Sequence, residues 1–224
     1  MKRILILGGG KIGSLIATLL VESKDYEVHL GEVDQSRISE LETQLDPSAF
    51  FAHSLDVLDQ DKMKSFLAEK KFDAVISSLP YYCNSTVGEL ARSHALHYFD
   101  LTEDVEVTRG SKAISEKAKQ AFVPQCGLAP GFISIVAHDL MTHFETVDIV
   151  KMRVGALPVH PSNVLKYSLT WSTDGLINEY GNTCFGIENG EEVPLQPLED
   201  YETLEIDGLL YEDLNTYGRL GKLD

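Results

Sequence analysis

The first half of the chain alternates short β-rich runs, apolar in the main, with longer stretches of helical periodicity. The runs are RILIL (3–7), YEVHLGEV (26–33), AFFAHSLD (49–56), FDAVISSL (72–79) and LHYFDLT (96–102). Between them stand KIGSLIATLLVES, QSRISELETQL, QDKMKSFLAEKK and STVGELARSHA, which read as helices. Strands without a polar face must be covered on both sides. Repeated β-α units of this kind therefore predict an α/β, Rossmann-type doubly wound parallel sheet. A sixth run, AFVPQCGL (121–128), leads into a further helix over PGFISIVAHDLMTHF. After about Glu145 the texture changes. VDIVKMRVGALP and LKYSLTWSTDG read as longer alternating strands, and ENGEE and LPVHPSN as turns. We place a first domain at 1–125 and a second, α+β domain with a sheet of its own at 126–224.

Composition narrows the function classes. The chain is 43% apolar and 24% charged, which suits a globular protein with a substantial core. No apolar run reaches the roughly 18 residues of a membrane helix. The N-terminus turns glycine-rich after about four apolar residues, too short for a secretion signal, and reads as the first strand of a cytoplasmic protein. A net charge of −16 argues against nucleic acid. Between Tyr167 and Gly218 there are twelve Asp and Glu and no Lys or Arg, a run that an acidic solvated surface explains without any ligand. Cys83, Cys126 and Cys184 are odd in number and far apart, so neither a disulfide framework nor a zinc pattern is indicated.

Glycine weakens both strands and helices, yet Gly8-Gly9-Gly10-Lys11-Ile12-Gly13 joins the first strand to the first helix. Gly8, Gly10 and Gly13 form G-x-G-x-x-G in the strand-to-helix context that dinucleotide binding requires. Gly8 supplies the tight turn, Gly10 the close approach of backbone to a pyrophosphate, and Gly13 the close packing of helix on strand. Lys11 and Ile12 complete the loop, and the pyrophosphate is expected at the helix N-terminus. Glu32, nineteen residues after Gly13, can bond the adenine ribose and would repel a 2′-phosphate. This favours NAD over NADP, with Arg37 as a counterweight if the loop folds inward. Asp56 either borders the adenine or caps the next helix. Ser77, Ser78, Leu79 and Pro80 end the fourth strand where ligands collect on such sheets, although an ordinary turn has the same chemistry.

From residue 4 to about 221 the chain carries further motifs in order: SLPYY, FDLTED (99–104), CGLAPG, GALPV, SNVLKYSLTWSTDGLINEY and NTYGRLG. Together with the glycine loop they resemble the saccharopine dehydrogenase family, nearest its lysine 6-dehydrogenase-like branch. The last motif departs from the family's TSGGLG-like pattern at Tyr217 and Arg219. Family members continue well beyond Asp224, so this sequence reads as either a shortened relative or a fragment, with the second domain incomplete relative to the family. The resemblance implies reversible, nicotinamide-dependent oxidation of a carbon–nitrogen bond in an amino acid. It also implies a homodimer formed through the second domain's sheet.

Such chemistry needs a neutral amine and a group that takes its proton. Glu103 at the end of the fifth strand, Tyr81 or Tyr82, and Lys166 are candidates, each with a plain surface role as the competing explanation. Gly127, Pro130 and Gly131 lie where a strand enters a helix, and N–H groups there can hold the nicotinamide carboxamide or a substrate carboxylate. Thr102, Tyr82, Glu179 and Tyr180 are expected to face the substrate, with Glu179 meeting an ammonium. Cys126 reads as a small buried residue and Trp171 as a core anchor. His94 and His97, spaced to share a helical face, have no third ligand in view; His138 and His143 fare no better. The acidic run suits a cationic substrate such as lysine or a polyamine better than a dicarboxylate.

Overall fold

A computed structural model describes residues 1–155, 160, 173–206 and 208–213, with backbone alone at 174, 178, 179 and 209–213. The chain divides into two compact units, Met1–Cys126 and Gly127–Asp224.

The first unit is a six-stranded parallel sheet in the order β3-β2-β1-β4-β5-β6. Its strands are β1 (Lys2–Leu7), β2 (Tyr26–Glu32), β3 (Phe50–Ser54), β4 (Ala74–Ser77), β5 (His97–Asp100) and β6 (Phe122–Val123). Helices α1 (Lys11–Ser23), α2 (Gln35–Gln44), α3 (Gln60–Glu69), α4 (Asn84–Ser93) and α5 (Val105–Ser115) form the crossovers. β1 shows why its sequence has no polar face. Leu5 and Leu7 join Met63, Leu67, Val87 and Leu90 in one core, while Ile4 and Ile6 join Ala17, Val21 and Leu41 in the other. Each such side chain contributes roughly 1.5–3 kcal/mol by leaving water. Chain order reverses between β1 and β4, so the loops following these two strands open a crevice at the sheet's carboxyl edge.

The stretch after β5 folds as α5, which the sequence reading left without a helix; Val105, Val107, Thr108 and Gly110 are all weak helix formers. Asp104 nonetheless caps it, accepting from the Val107 N–H at 2.8 Å. His94 and His97 do not share a helical face, because His94 ends α4 and His97 starts β5.

An imidazole pair, His29 buried and His53 half-buried, lies between β2 and β3. His29 Nδ1 is 2.8 Å from His53 Nε2, and His29 Nε2 is 2.9 Å from Glu27 Oε1, which Arg3 also pairs at 2.8 Å. Phe51 stacks on His29, Phe72 meets it edge-on, and Phe66 tilts against His53. Burial holds both rings below the ordinary value of 6.5, His53 down to about 4, with Lys70 adding repulsion. The unfolded chain therefore binds more protons than the folded one between pH 6.5 and 4. Stability is full above 6.5 and falls as pH drops toward 4, by about 1–2 kcal/mol after allowance for solvent screening. On acidification across this window the wild type should lose Tm relative to His53→Leu; a constant difference would contradict the assignment.

The described residues of the second unit form α6 (Phe132–Met141), α7 (Thr173–Gly181) and two hairpins. Strands β7 (Cys184–Glu188) and β8 (Glu191–Leu195) form one, and β9 (Glu202–Ile206) and β10 (Leu209–Asp213) the other. The turn read in ENGEE joins β7 to β8 with Asn189 at φ 52° and Gly190 at φ 79°, the mirror-type geometry that suits hairpin twist. Among the described residues the strands form two separate ribbons and not one sheet. The strand expected from Val147 is also not formed over 147–155. Lys151 and Arg153 there turn to Glu202 of β9, holding its carboxyl down to about 2. LKYSLTW, with Lys166 and Trp171, lies outside the described residues. Among those described, no helix is long and apolar enough to cross a membrane.

Candidate functional site

The glycine loop is built against the ends of β2 and β4. Gly8 has φ 98°, a left-handed conformation that L side chains rarely adopt, and its N–H donates to the Gly31 carbonyl at 2.9 Å. A Cβ on Gly8 would lie 2.6 Å from the Ser78 carbonyl oxygen and 3.1 Å from a Leu79 methyl. A Cβ on Gly13 would come within 1.9 Å of the Gly8 carbonyl oxygen. These two glycines are required by the protein's own backbone. Gly10 is different, because a Cβ there meets nothing within 4 Å.

Helix starts sharpen the contrast. Aspartates cap α2, α3 and α5, namely Asp34, Asp59 and Asp104. α1 begins at Gly10 with no side-chain cap, and Lys11 and Ile12 stand exposed in its first turn. A helix start with bare backbone and open space before it favours an anionic group. The residues present fit a pyrophosphate.

Glu32 faces this loop. Its carboxylate accepts the N–H of Gly9 at 2.5 Å, Val33 at 2.7 Å and Asp34 at 2.9 Å, which fixes a negative charge beside the glycines. Arg37 does fold inward. Its guanidinium donates to the Gly9 carbonyl at 3.3 Å and lies 3.6 Å from Asp34. Ser14 Oγ donates to the same carbonyl at 2.9 Å. Gly9 and Ser14 were not singled out in the sequence; the serine one turn into α1 was the available signal.

The fold brings Gly8, Gly13, Glu32, Ser78 and Leu79 together. Ser78 N–H donates to the Leu7 carbonyl at 2.8 Å, holding the β4 turn against β1. Ser77 sits beside it but is buried, with its hydroxyl donating to Asn84 Oδ1 at 2.6 Å. Pro80 precedes a short 3-10 turn, Tyr81–Cys83, in which Tyr81 is half-buried and Tyr82 is 60% exposed. Asp56 is exposed and accepts from the Leu58 N–H at 2.9 Å. The helix-capping role considered for it belongs to Asp59, which stands one residue before α3. Thr102 and Glu103 are buried in the loop after β5, on the same carboxyl edge of the sheet.

In the second unit, Gly127 and Gly131 form a bridge, and the Gly127 carbonyl accepts from the Phe132 N–H at 2.9 Å. Gly131, at φ 135°, starts α6 with no side-chain cap, and Pro130 precedes it. Tyr180 is half-buried in α7; the side chain of Glu179 and all of Lys166 lie outside the described residues. Cys126 is exposed, contrary to expectation; it lies three residues past the end of β6. Packing about its sulfur and the Asp100 charge push its thiol pKa up, which disfavours a nucleophile.

Two family models match this chain. Residues 4–123 match the saccharopine dehydrogenase NADP binding domain, and residues 127–219 match the saccharopine dehydrogenase C-terminal domain. Among curated proteins, the mitochondrial alpha-aminoadipic semialdehyde synthases of Rattus norvegicus and Mus musculus are 20% and 22% identical. Each alignment covers 98% of this chain and 25% of the relative. Apo saccharopine dehydrogenase (L-Glu forming) from Saccharomyces cerevisiae shares its fold with a TM-score of 0.71 at 19% identity, over 97% of this chain and 50% of that one. A myo-inositol 2-dehydrogenase from Lactobacillus plantarum aligns over 66% of this chain and 43% of its own, with a TM-score of 0.52 and 14% identity. The chain thus spans a quarter of its curated relatives and half of the yeast protein. With one family model covering more than half the chain and a second the remainder up to residue 219, the chain belongs to the saccharopine dehydrogenase family.

Proposed function

We propose that the chain is a nicotinamide-dinucleotide-dependent oxidoreductase acting on a carbon–nitrogen bond of an amino acid, with lysine 6-dehydrogenase-like chemistry. The observation that carries this reading is the cradle at Gly8–Gly13, where backbone and open space meet an uncapped helix start. Gly8, Gly10, Lys11, Ile12 and Gly13 hold the pyrophosphate, Glu32 the adenine ribose, and Ser78 and Leu79 flank the nicotinamide side. When bound, the nicotinamide ring supplies a hydride acceptor or donor.

The chain's own residues have two further tasks. The amine must be neutral before it loses hydride, so a proton has to move at its nitrogen. Glu103 and Tyr81, on the sheet's carboxyl edge, serve as that proton group in this reading. Thr102 and Tyr82 border the substrate. The acid excess between Tyr167 and Gly218 favours a cationic amino acid such as lysine, and a homodimer through the second unit completes the proposed assembly.

The saccharopine dehydrogenase match favours a second reading, reduction of a Schiff base to a secondary amine. Incubation with lysine and NAD, and separately with saccharopine, separates the two. The first reading expects reduced nicotinamide from lysine, and the second expects it from saccharopine. No turnover with either, despite nucleotide binding, would contradict both.

For cofactor choice, the fixed Glu32 charge outweighs an Arg37 already facing Asp34, so NAD is the proposed partner. Glu32→Gln removes the repulsion and should move the NADP-to-NAD affinity ratio about tenfold toward NADP. An unchanged ratio by calorimetry would contradict the role given to Glu32.

A further inference from the structure

Asp100 closes β5 and is fully buried, an unusual place for a carboxylate. It is surrounded by donors. Tyr98 OH donates to Oδ2 at 2.6 Å, while the N–H groups of Thr102 and Gln125 donate to Oδ1 at 3.1 and 3.0 Å. Its backbone carbonyl accepts the Cys126 N–H at 2.8 Å. One residue therefore ties the loop that carries Thr102 and Glu103 to the last two residues of the first unit.

Those two residues need holding. Gln125 has φ 60°, a left-handed conformation uncommon for a residue with a side chain, and it persists only where the surroundings enforce it. Pro124 before it contributes no N–H, and Cys126 Sγ turns back to the Val123 carbonyl at 3.2 Å. The corner thus depends on the two N–H groups that Asp100 receives.

We infer that Asp100 is a positioning residue, fixing both the Thr102–Glu103 loop and the Gln125–Cys126 corner. It acts through backbone N–H groups and touches neither substrate nor nucleotide in this role. Burial, and then the Asp100 charge, push the Tyr98 phenol above its ordinary pKa, so Tyr98 remains a donor and holds the carboxylate in one orientation. An amide at position 100 keeps Oδ1 for Thr102 and Gln125, with Tyr98 able to rotate its hydroxyl and accept. A leucine keeps the branched shape, though it is larger, and removes both carboxylate acceptors while the backbone carbonyl still accepts from Cys126.

The inference rests on the proposed site for its functional meaning, but it is tested without turnover. Amide hydrogen exchange on the full chain reads three peptides: the glycine loop (4–14), the loop at 101–104 and the corner at 122–127. Asp100→Leu should raise exchange at the latter two by about tenfold and leave the glycine loop protected. Asp100→Asn should restore wild-type protection at all three. Corner protection unchanged in the leucine variant, or lost equally in the asparagine variant, would overturn the inference. Should leucine prevent folding, Tyr98→Phe removes the Oδ2 anchor, together with a 3.5 Å contact to the Asn84 carbonyl, and should raise exchange at both 101–104 and 122–127, since Thr102 and Gln125 share Oδ1; no change at either would overturn it. Calorimetry with NAD should give the same Kd for wild type and Asp100→Asn. A wild type that binds no nucleotide would defeat the proposed function while leaving the exchange test intact.

Discussion

Gly13→Ala is expected to lower stability by about 3 kcal/mol, a fall of roughly 6–12 °C in Tm, and to abolish nucleotide binding. The cause is contact between main chain and main chain. The added methyl would sit 1.9 Å from the Gly8 carbonyl oxygen, and Ser78 Cβ at 3.3 Å blocks escape on the other side. No rotamer relieves this, so α1 has to move away from β1. Such a move disturbs Ala17 and Val21, which pack in the same core as Ile4 and Ile6. Thermal denaturation measures the effect; an unchanged Tm would show that helix and strand are not packed at this distance.

Gly10→Val should behave in the opposite way, with the fold kept and the ligand lost. Gly10 has φ −65° and ψ −173°, a conformation any residue adopts, and a Cβ there has no protein neighbour within 4 Å. The expected structural cost is about 1 kcal/mol, from valine being a poor residue to open a helix. The isopropyl group would fill the open space where the pyrophosphate is proposed to meet backbone. Affinity should drop at least about 100-fold, equivalent to some 2.7 kcal/mol. Paired calorimetry and melting curves distinguish this from Gly13→Ala, in which both properties fail together. A Gly10→Val protein with wild-type affinity would mean that nucleotide, if bound, approaches elsewhere.

How much of this was legible in the sequence depended on how local the physics is. The apolar runs of β1, β2 and β4 and the stripes of α1 to α4 report burial directly, and their order fixed the parallel sheet. The glycine spacing also carried its own meaning, since Gly8 and Gly13 answer steric demands made a few residues away. Long-range ties were not legible. Nothing near Arg37 says that it reaches Gly9, and nothing near Lys151 and Arg153 says that they pair with Glu202, about fifty residues on. α5 was missed because its β-branched residues mimic a strand, while the cap at Asp104 and the Glu106–Arg109 pair one turn apart were weaker signals. Asp100 looked like the tail of a strand. Its importance lies in three donors that only the folded chain assembles.

The central claim is that bare main chain after the first buried strand receives the phosphates of a nicotinamide dinucleotide. The most direct measurement is isothermal titration of the wild-type chain with NAD and with NADP. The account predicts saturable heat at one site per chain, with NAD the tighter of the two. Absence of heat from both nucleotides at millimolar concentration, in a chain shown to be folded by its melting curve, would contradict it.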